Sequence, residues 1–213
     1  MPTSTSAPTT SPLAGPAVLA WLRPLVFLGA LAPALVLLYG AFTNGLGPDP
    51  AEALLHGTGE WGARLLIATL LISPLRSLTG WSLVIKLRRM LGLFVFFYAC
   101  LHLLIFVQFD LGWSAARVWE ELLERPYISV GFAAWLLLLP LAITSSRGMQ
   151  RRLRRNWQRL HRLVYAVAML VSLHLVWQAR SDIGEAVFYS GLFAVLLGWR
   201  VLDRWRKRRV VQA

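Results

Sequence analysis

The chain has 213 residues, 57% of them hydrophobic, and 22 Lys and Arg against 10 Asp and Glu, for a net charge of +12. With a mean hydropathy of +0.57, this composition is that of an integral membrane protein, and the apolar runs leave no stretch long enough for a soluble catalytic domain. The charge could suggest nucleic-acid binding, but the basic residues sit in separate clusters between apolar runs, which argues against it.

Residues 1–16 are rich in Pro, Ser and Thr, hold no Lys or Arg, and are expected to form a disordered tail. They lack the basic start of a signal peptide, and the apolar run after them is too long to be removed as one. Six spans follow, at 18–41, 61–78, 90–109, 128–145, 160–177 and 184–201. Each is near the length of about 20 residues that crosses hydrocarbon. Pro24 and Pro33 should bend the first span and Pro140 the fourth. His56 falls in the loop between the first two spans, where an ordinary loop hydrogen bond is expected. Glu60 and Arg64 open the second span four residues apart, acid first, the favoured order for a helical ion pair. Arg64 is also a candidate partner for a cofactor carboxylate, against the plainer reading of a snorkelling arginine.

Arg76, Lys86, Arg88 and Arg89 lie between spans two and three. Seven arginines, from Arg147 to Arg162, lie between spans four and five, and residues 204–213 form a basic tail. Nine of the ten acids, all but Asp203, lie in the other loops or at their margins. This segregation orients the protein with both termini in the cytoplasm. The basic clusters would meet anionic lipid heads or an anionic cytoplasmic partner. Between spans three and four, residues 114–124 place Val118, Trp119, Leu122 and Leu123 at helical spacing beside Glu120, Glu121 and Glu124, which predicts a short amphipathic helix on the outer surface. The fold class is therefore all-α, a polytopic membrane helix bundle of about six transmembrane helices, with 17–203 as its membrane domain.

Three of the four histidines, His102, His161 and His174, lie within membrane-length segments. Ionisable groups are costly there and mark function, and a neutral imidazole is a common ligand of heme iron. His102 lies 14 residues beyond Arg88, and His174 lies 15 beyond Arg159. At 1.5 Å per residue both sit about 21–22 Å from the cytoplasmic side, on parallel helices. The pair could grip one iron from opposite faces; packing or a proton relay is the alternative. His161, 13 residues before His174, lies about 20 Å below it. It is either ligand to a second, inner iron or an interfacial residue facing lipid heads. On an ideal helix the two rings are about 140° apart, so a shared face requires tighter, 3₁₀-like winding. At the depth of His161, span three offers only Arg88, Arg89 and Met90. Cys100, the single cysteine, excludes an internal disulfide and a thiolate cluster. No nucleotide-binding, zinc or hydrolase motif is present, and no internal repeat is evident. A proton-relay transporter and a passive membrane anchor stay open beside electron transfer.

The segments 41–64 (AFTNGLGPDPAEALLHGTGEWGAR), 86–104 (KLRRMLGLFVFFYACLHLL), 124–149 (ERPYISVGFAAWLLLLPLAITSSRGM) and 157–182 (WQRLHRLVYAVAMLVSLHLVWQARSD) resemble the MsrQ (YedZ) family, heme-binding membrane subunits within the ferric-reductase-like transmembrane group. The resemblance covers about 21–202, and the paired RRMLG and LHRLVY segments carry most of its specificity. It implies b-type heme, with His102 and His174 as the axial pair of one heme and His161 as ligand of a second. It implies a multi-pass protein of the bacterial inner membrane. Its partner would be a periplasmic molybdopterin-dependent protein-methionine-sulfoxide reductase that repairs oxidised envelope proteins. Electrons would come from the quinone pool or a cytoplasmic flavin reductase. FMN is an implied cofactor, and Arg88 and Arg89 match the basic pair expected to meet its phosphate or the donor. By the same resemblance the chain is an electron-transfer subunit and not an enzyme alone. It departs from two-heme cytochromes in having no second histidine on span three.

Overall fold

A computed structural model of the protein describes residues 16–179 and 183–212. The expected tail at 1–16 lies, Pro16 apart, outside the described residues. Among the described residues there is no strand, and the helices are α1 (Pro16–Phe42), α2 (Pro50–Thr79), α3 (Arg88–Phe109), α4 (Ala115–Glu124), α5 (Pro126–Ile143), α6 (Arg147–Leu153), α7 (Arg155–Leu160), α8 (Leu163–Gln178) and α9 (Ile183–Gln212), with a 3₁₀ turn at Ser82–Lys86. Among the described residues five segments are long and apolar enough to cross a membrane: Val18–Phe42, Leu83–Phe109, Pro126–Ile143, Arg155–Gln178 and Ile183–Arg206.

α2, the second expected span, is not among these five, because Glu60, Arg64 and Arg76 punctuate its apolar run. Its packing nevertheless carries it across. Gly59 lies against His102, Gly62 against Tyr98, and Thr69 against Gly92, so α2 and α3 run antiparallel over the same thickness. The other directions follow in the same way. α1 runs parallel to α3, with Phe27 on Phe94 and Ala30 on Tyr98. α5 runs antiparallel to the α7–α8 segment, with His174 of α8 at Tyr127 near one end and Trp157 of α7 at Thr144 near the other. α9 turns back along α8, pairing Ser190 with Ser172 and laying Arg200 over the Tyr165 ring. Six helices thus alternate in direction, and the arginine-rich segments share one end of the bundle.

The core is built on Tyr98, Phe193, Leu66 and Val167, all fully buried and drawn from four different helices. The Tyr98 hydroxyl donates to the Ala30 carbonyl at 2.9 Å and accepts from the Ala34 amide at 3.0 Å. In an uninterrupted helix those two backbone groups would bond to each other. The inserted hydroxyl satisfies both beside Pro33, whose ring crowds the preceding turn. The rest of the bundle surface is apolar, with Trp21 and Phe42 at 80% and 82% exposure, as a lipid-facing surface requires.

One expectation needs correction. His56 is helical and not in a loop: α2 starts at Pro50, capped by Asp49, whose side chain accepts from the Glu52 amide at 3.0 Å. That cap signal, Asp before Pro, was present in the sequence. His56 lies 4.0 Å from Glu52, one turn away. At the other end of the chain, α9 carries on through the basic tail to Gln212. The amphipathic helix expected at 114–124 is α4, with Ser114 as its cap and Trp119 and Leu123 exposed.

Candidate functional site

His102 on α3 and His174 on α8 face each other across the bundle, with ring centroids 6.3 Å apart and planes at 86°. A nitrogen bound to a metal at about 2 Å puts its ring centroid roughly 3 Å from the metal, so two imidazoles across one ion have centroids about 6 Å apart. The observed spacing therefore fits one ion held between two rings.

The hydrogen bonds agree with that assignment. His102 Nδ1 lies 3.0 Å from the Leu55 carbonyl, and His174 Nδ1 lies 2.7 Å from the Tyr127 carbonyl. A carbonyl only accepts, so each Nδ1 carries the proton and each Nε2 keeps its lone pair. This is the outer hydrogen bond that metal-bound histidines usually make. Among the described residues, no group of three or more His, Cys, Asp or Glu could hold a metal ion. Two facing imidazoles alone do not complete the coordination of iron. A planar macrocycle supplying the equatorial donors does, and the residues present fit heme.

The site is built twice from one plan. Each carbonyl lies 47 residues before its histidine. Each histidine also lies against a glycine four residues beyond that carbonyl: Gly59 for His102 and Gly131 for His174. The helix pairs α2–α3 and α5–α8 are thus related as an internal repeat, where the sequence alone suggested none. The signal available was short: Cys100-Leu-His-Leu against Ser172-Leu-His-Leu, with a glycine at the matching distance before each. Gly59, Gly131 and the two carbonyls are the site groups that sequence reasoning missed.

His161 ends α7 at the arginine-rich side. Trp157 stacks on its ring at 4.0 Å, and its Nδ1 lies 3.2 Å from the Trp157 carbonyl. Among the described residues its Nε2 is buried and makes no hydrogen bond of ordinary geometry, with the Leu141 backbone beside the ring. The winding changes here: the Arg162 amide bonds to the Arg159 carbonyl, and the Tyr165 amide to the Arg162 carbonyl. These are the tighter i→i−3 bonds that a shared face with His174 requires. The structure brings no second histidine to it. Arg88 and Arg89 form the first turn of α3, with Arg88 half-buried and Arg89 exposed.

Arg64 is held in the seam between α2 and α9. It bonds to Glu60 at 2.9 Å and through Nε to the Tyr189 hydroxyl at 2.7 Å; Glu185 lies 3.6 Å away. The helical ion pair expected from spacing is formed, and a heme propionate at this end would compete with two carboxylates for the guanidinium.

A family model described as "Ferric reductase like transmembrane component" matches residues 58–172. The protein-methionine-sulfoxide reductase heme-binding subunit MsrQ of Xanthomonas axonopodis pv. citri is 51% identical over 191 residues, 87% of this chain and 86% of its own length. The subunit of the same name from Xanthomonas campestris pv. campestris is 52% identical over 167 residues, 78% of this chain and 77% of its own. That of Azospira oryzae is 44% identical over 193 residues, 90% and 83% of the two chains. No solved structure matches the chain.

Proposed function

The chain belongs to the MsrQ family within the ferric-reductase-like transmembrane group, and on that premise we propose that it is a heme-binding electron-transfer subunit of a protein-methionine-sulfoxide reductase system. The observation that carries the reading is the facing pair His102 and His174, spaced for one metal and each presenting an unprotonated Nε2. Bound there, b-type heme supplies a one-electron carrier in the half of the bundle away from the arginines. The protein's own part is to hold two neutral imidazoles, orient them through backbone carbonyls and keep them dry within the helices.

A second heme at His161 is supported by its buried Nε2, which makes no hydrogen bond of ordinary geometry, and by the local tightening of the helix; the Leu141 backbone beside the ring is the competing contact. Two hemes at those depths would relay electrons across most of the hydrocarbon. On the arginine-rich side, Arg88 and Arg89 lie at the N-terminus of a 22-residue helix. A helix N-terminus with two cations suits a phosphate, so we place FMN, or the docking of an electron donor, there. The donor would be the quinone pool or a cytoplasmic flavin reductase. The acceptor would be a periplasmic molybdopterin-dependent reductase, and the setting the bacterial inner membrane.

The test is heme and flavin content per polypeptide after purification in mild detergent. The wild type should show a low-spin b-heme spectrum, and His102→Ala and His174→Ala should each remove its bis-imidazole component. A colourless wild-type protein, or unchanged spectra in both variants, would discard the reading. Arg88→Ala with Arg89→Ala should lower flavin while leaving that spectrum in place.

A further inference from the structure

Resting on the heme reading above, we propose that Gly59 and Gly131 are positioning residues, each the seat of one axial imidazole. A Cβ added to Gly131 would lie 2.9 Å from both Nδ1 and Cε1 of His174 and 3.4 Å from its Cγ. One added to Gly59 would lie 3.1 Å from Nδ1 and Cε1 of His102. Carbon atoms rest at about 3.5–4.0 Å from their neighbours, so a methyl at either position requires the ring to move.

Neither ring is free to move. The Tyr127 carbonyl that holds His174 Nδ1 is one turn before Gly131 on α5, and the Leu55 carbonyl that holds His102 Nδ1 is one turn before Gly59 on α2. Residues four apart share a helix face. The neighbouring helix therefore offers each imidazole a carbonyl to bond and, one turn on, a bare stretch of backbone to lie against. The two constraints together fix the ring's rotation, and with it the direction of the Nε2 lone pair. Other glycines do not seat a ring: a Cβ on Gly57 or Gly40 would be as tight, at 2.9 and 2.7 Å, but against the flexible side chains of Leu37 and Leu46. A Cβ on Gly62 would meet Tyr98 at an ordinary 3.7 Å, and one on Gly29, Gly191 or Gly198 would meet nothing within 4 Å. The glycines under tight ring contact on α2 and α5 are those that occupy equivalent places in the repeat.

The experiment compares full-length Gly131→Ala, Gly59→Ala, Gly62→Ala and His174→Ala, purified as holoprotein, by heme retention and by the low-spin ferric EPR signal. Disturbing the outer support of a metal ligand typically weakens the site about 10–100-fold. Gly131→Ala should show a loss of that order or a shifted low-spin signal, Gly59→Ala a smaller change in the same direction, and Gly62→Ala none. A folding control separates ring contact from general damage. The thermal-stability cost of Gly131→Ala should disappear in a His174→Ala background, where no ring remains to clash. Full heme and an unaltered signal in Gly131→Ala, alongside loss in His174→Ala, would overturn the seat alone, as would an equal stability cost in both backgrounds. Heme retained with an unchanged signal in His174→Ala would overturn the heme reading and the seat with it.

Discussion

A histidine in hydrocarbon stays neutral, and its two nitrogens then do different work: one must donate, and the other is left with a lone pair. His102 and His174 spend Nδ1–H on backbone carbonyls of neighbouring helices, so their Nε2 atoms are available to a metal. His161 follows the same rule with the Trp157 carbonyl of its own helix. If it holds an inner heme, a redox titration of the wild type should resolve two components. His161→Ala should then remove one and leave the low-spin signal of the outer pair; an unchanged titration would assign His161 to packing on Trp157. The histidine pair was legible in the sequence because depth can be counted along a helix from a charged end. The carbonyls of Leu55 and Tyr127 were not, since a backbone oxygen has no residue-type signature. Gly59 and Gly131 were hidden for a related reason: a glycine in a span reads as filler until the ring beside it is seen.

The same contrast holds for the helices. The apolar runs of α1, α3, α5, α8 and α9 were readable from length and hydropathy. The early start of α2 at Pro50 was missed because the outer residues 50–60 are polar, although Asp49 and Pro50 form a sound helix start. The segment between α5 and α7 read only as a basic loop. The stretch from α5 to α8 folds as α6 and α7 with Arg154 between them at φ 46°, a positive φ that no pattern of charges announces. In α1, Pro33 signalled a disturbance but not its remedy, which is the Tyr98 hydroxyl from α3. Tyr98→Phe leaves the Ala30 carbonyl and the Ala34 amide without that bridge in a dry interior. It should cost about 1–3 kcal/mol, read as a lowered thermal transition in detergent. No change on loss of the hydroxyl would mean that α1 closes its own hydrogen bond there.

At the scale of the whole molecule, alternating helix directions put the arginine clusters at one end and nearly all the acids at the other. That asymmetry predicts a cytoplasmic arginine-rich face. In a Cys100→Ser background, Gly148→Cys should be labelled only after the membrane is permeabilised, whereas Glu120→Cys on α4 should be labelled in intact spheroplasts by an impermeant thiol reagent. The reverse pattern would invert the direction of electron flow. Orientation matters because the facing pair lies toward the acidic end, where a periplasmic acceptor would dock. The claim on which the account turns is that one iron is held between α3 and α8. The most direct measurement is the EPR spectrum of the oxidised, purified protein beside His102→Ala and His174→Ala. A low-spin ferric signal of two axial imidazoles that vanishes in both variants is the predicted result; the same signal persisting in either one contradicts it.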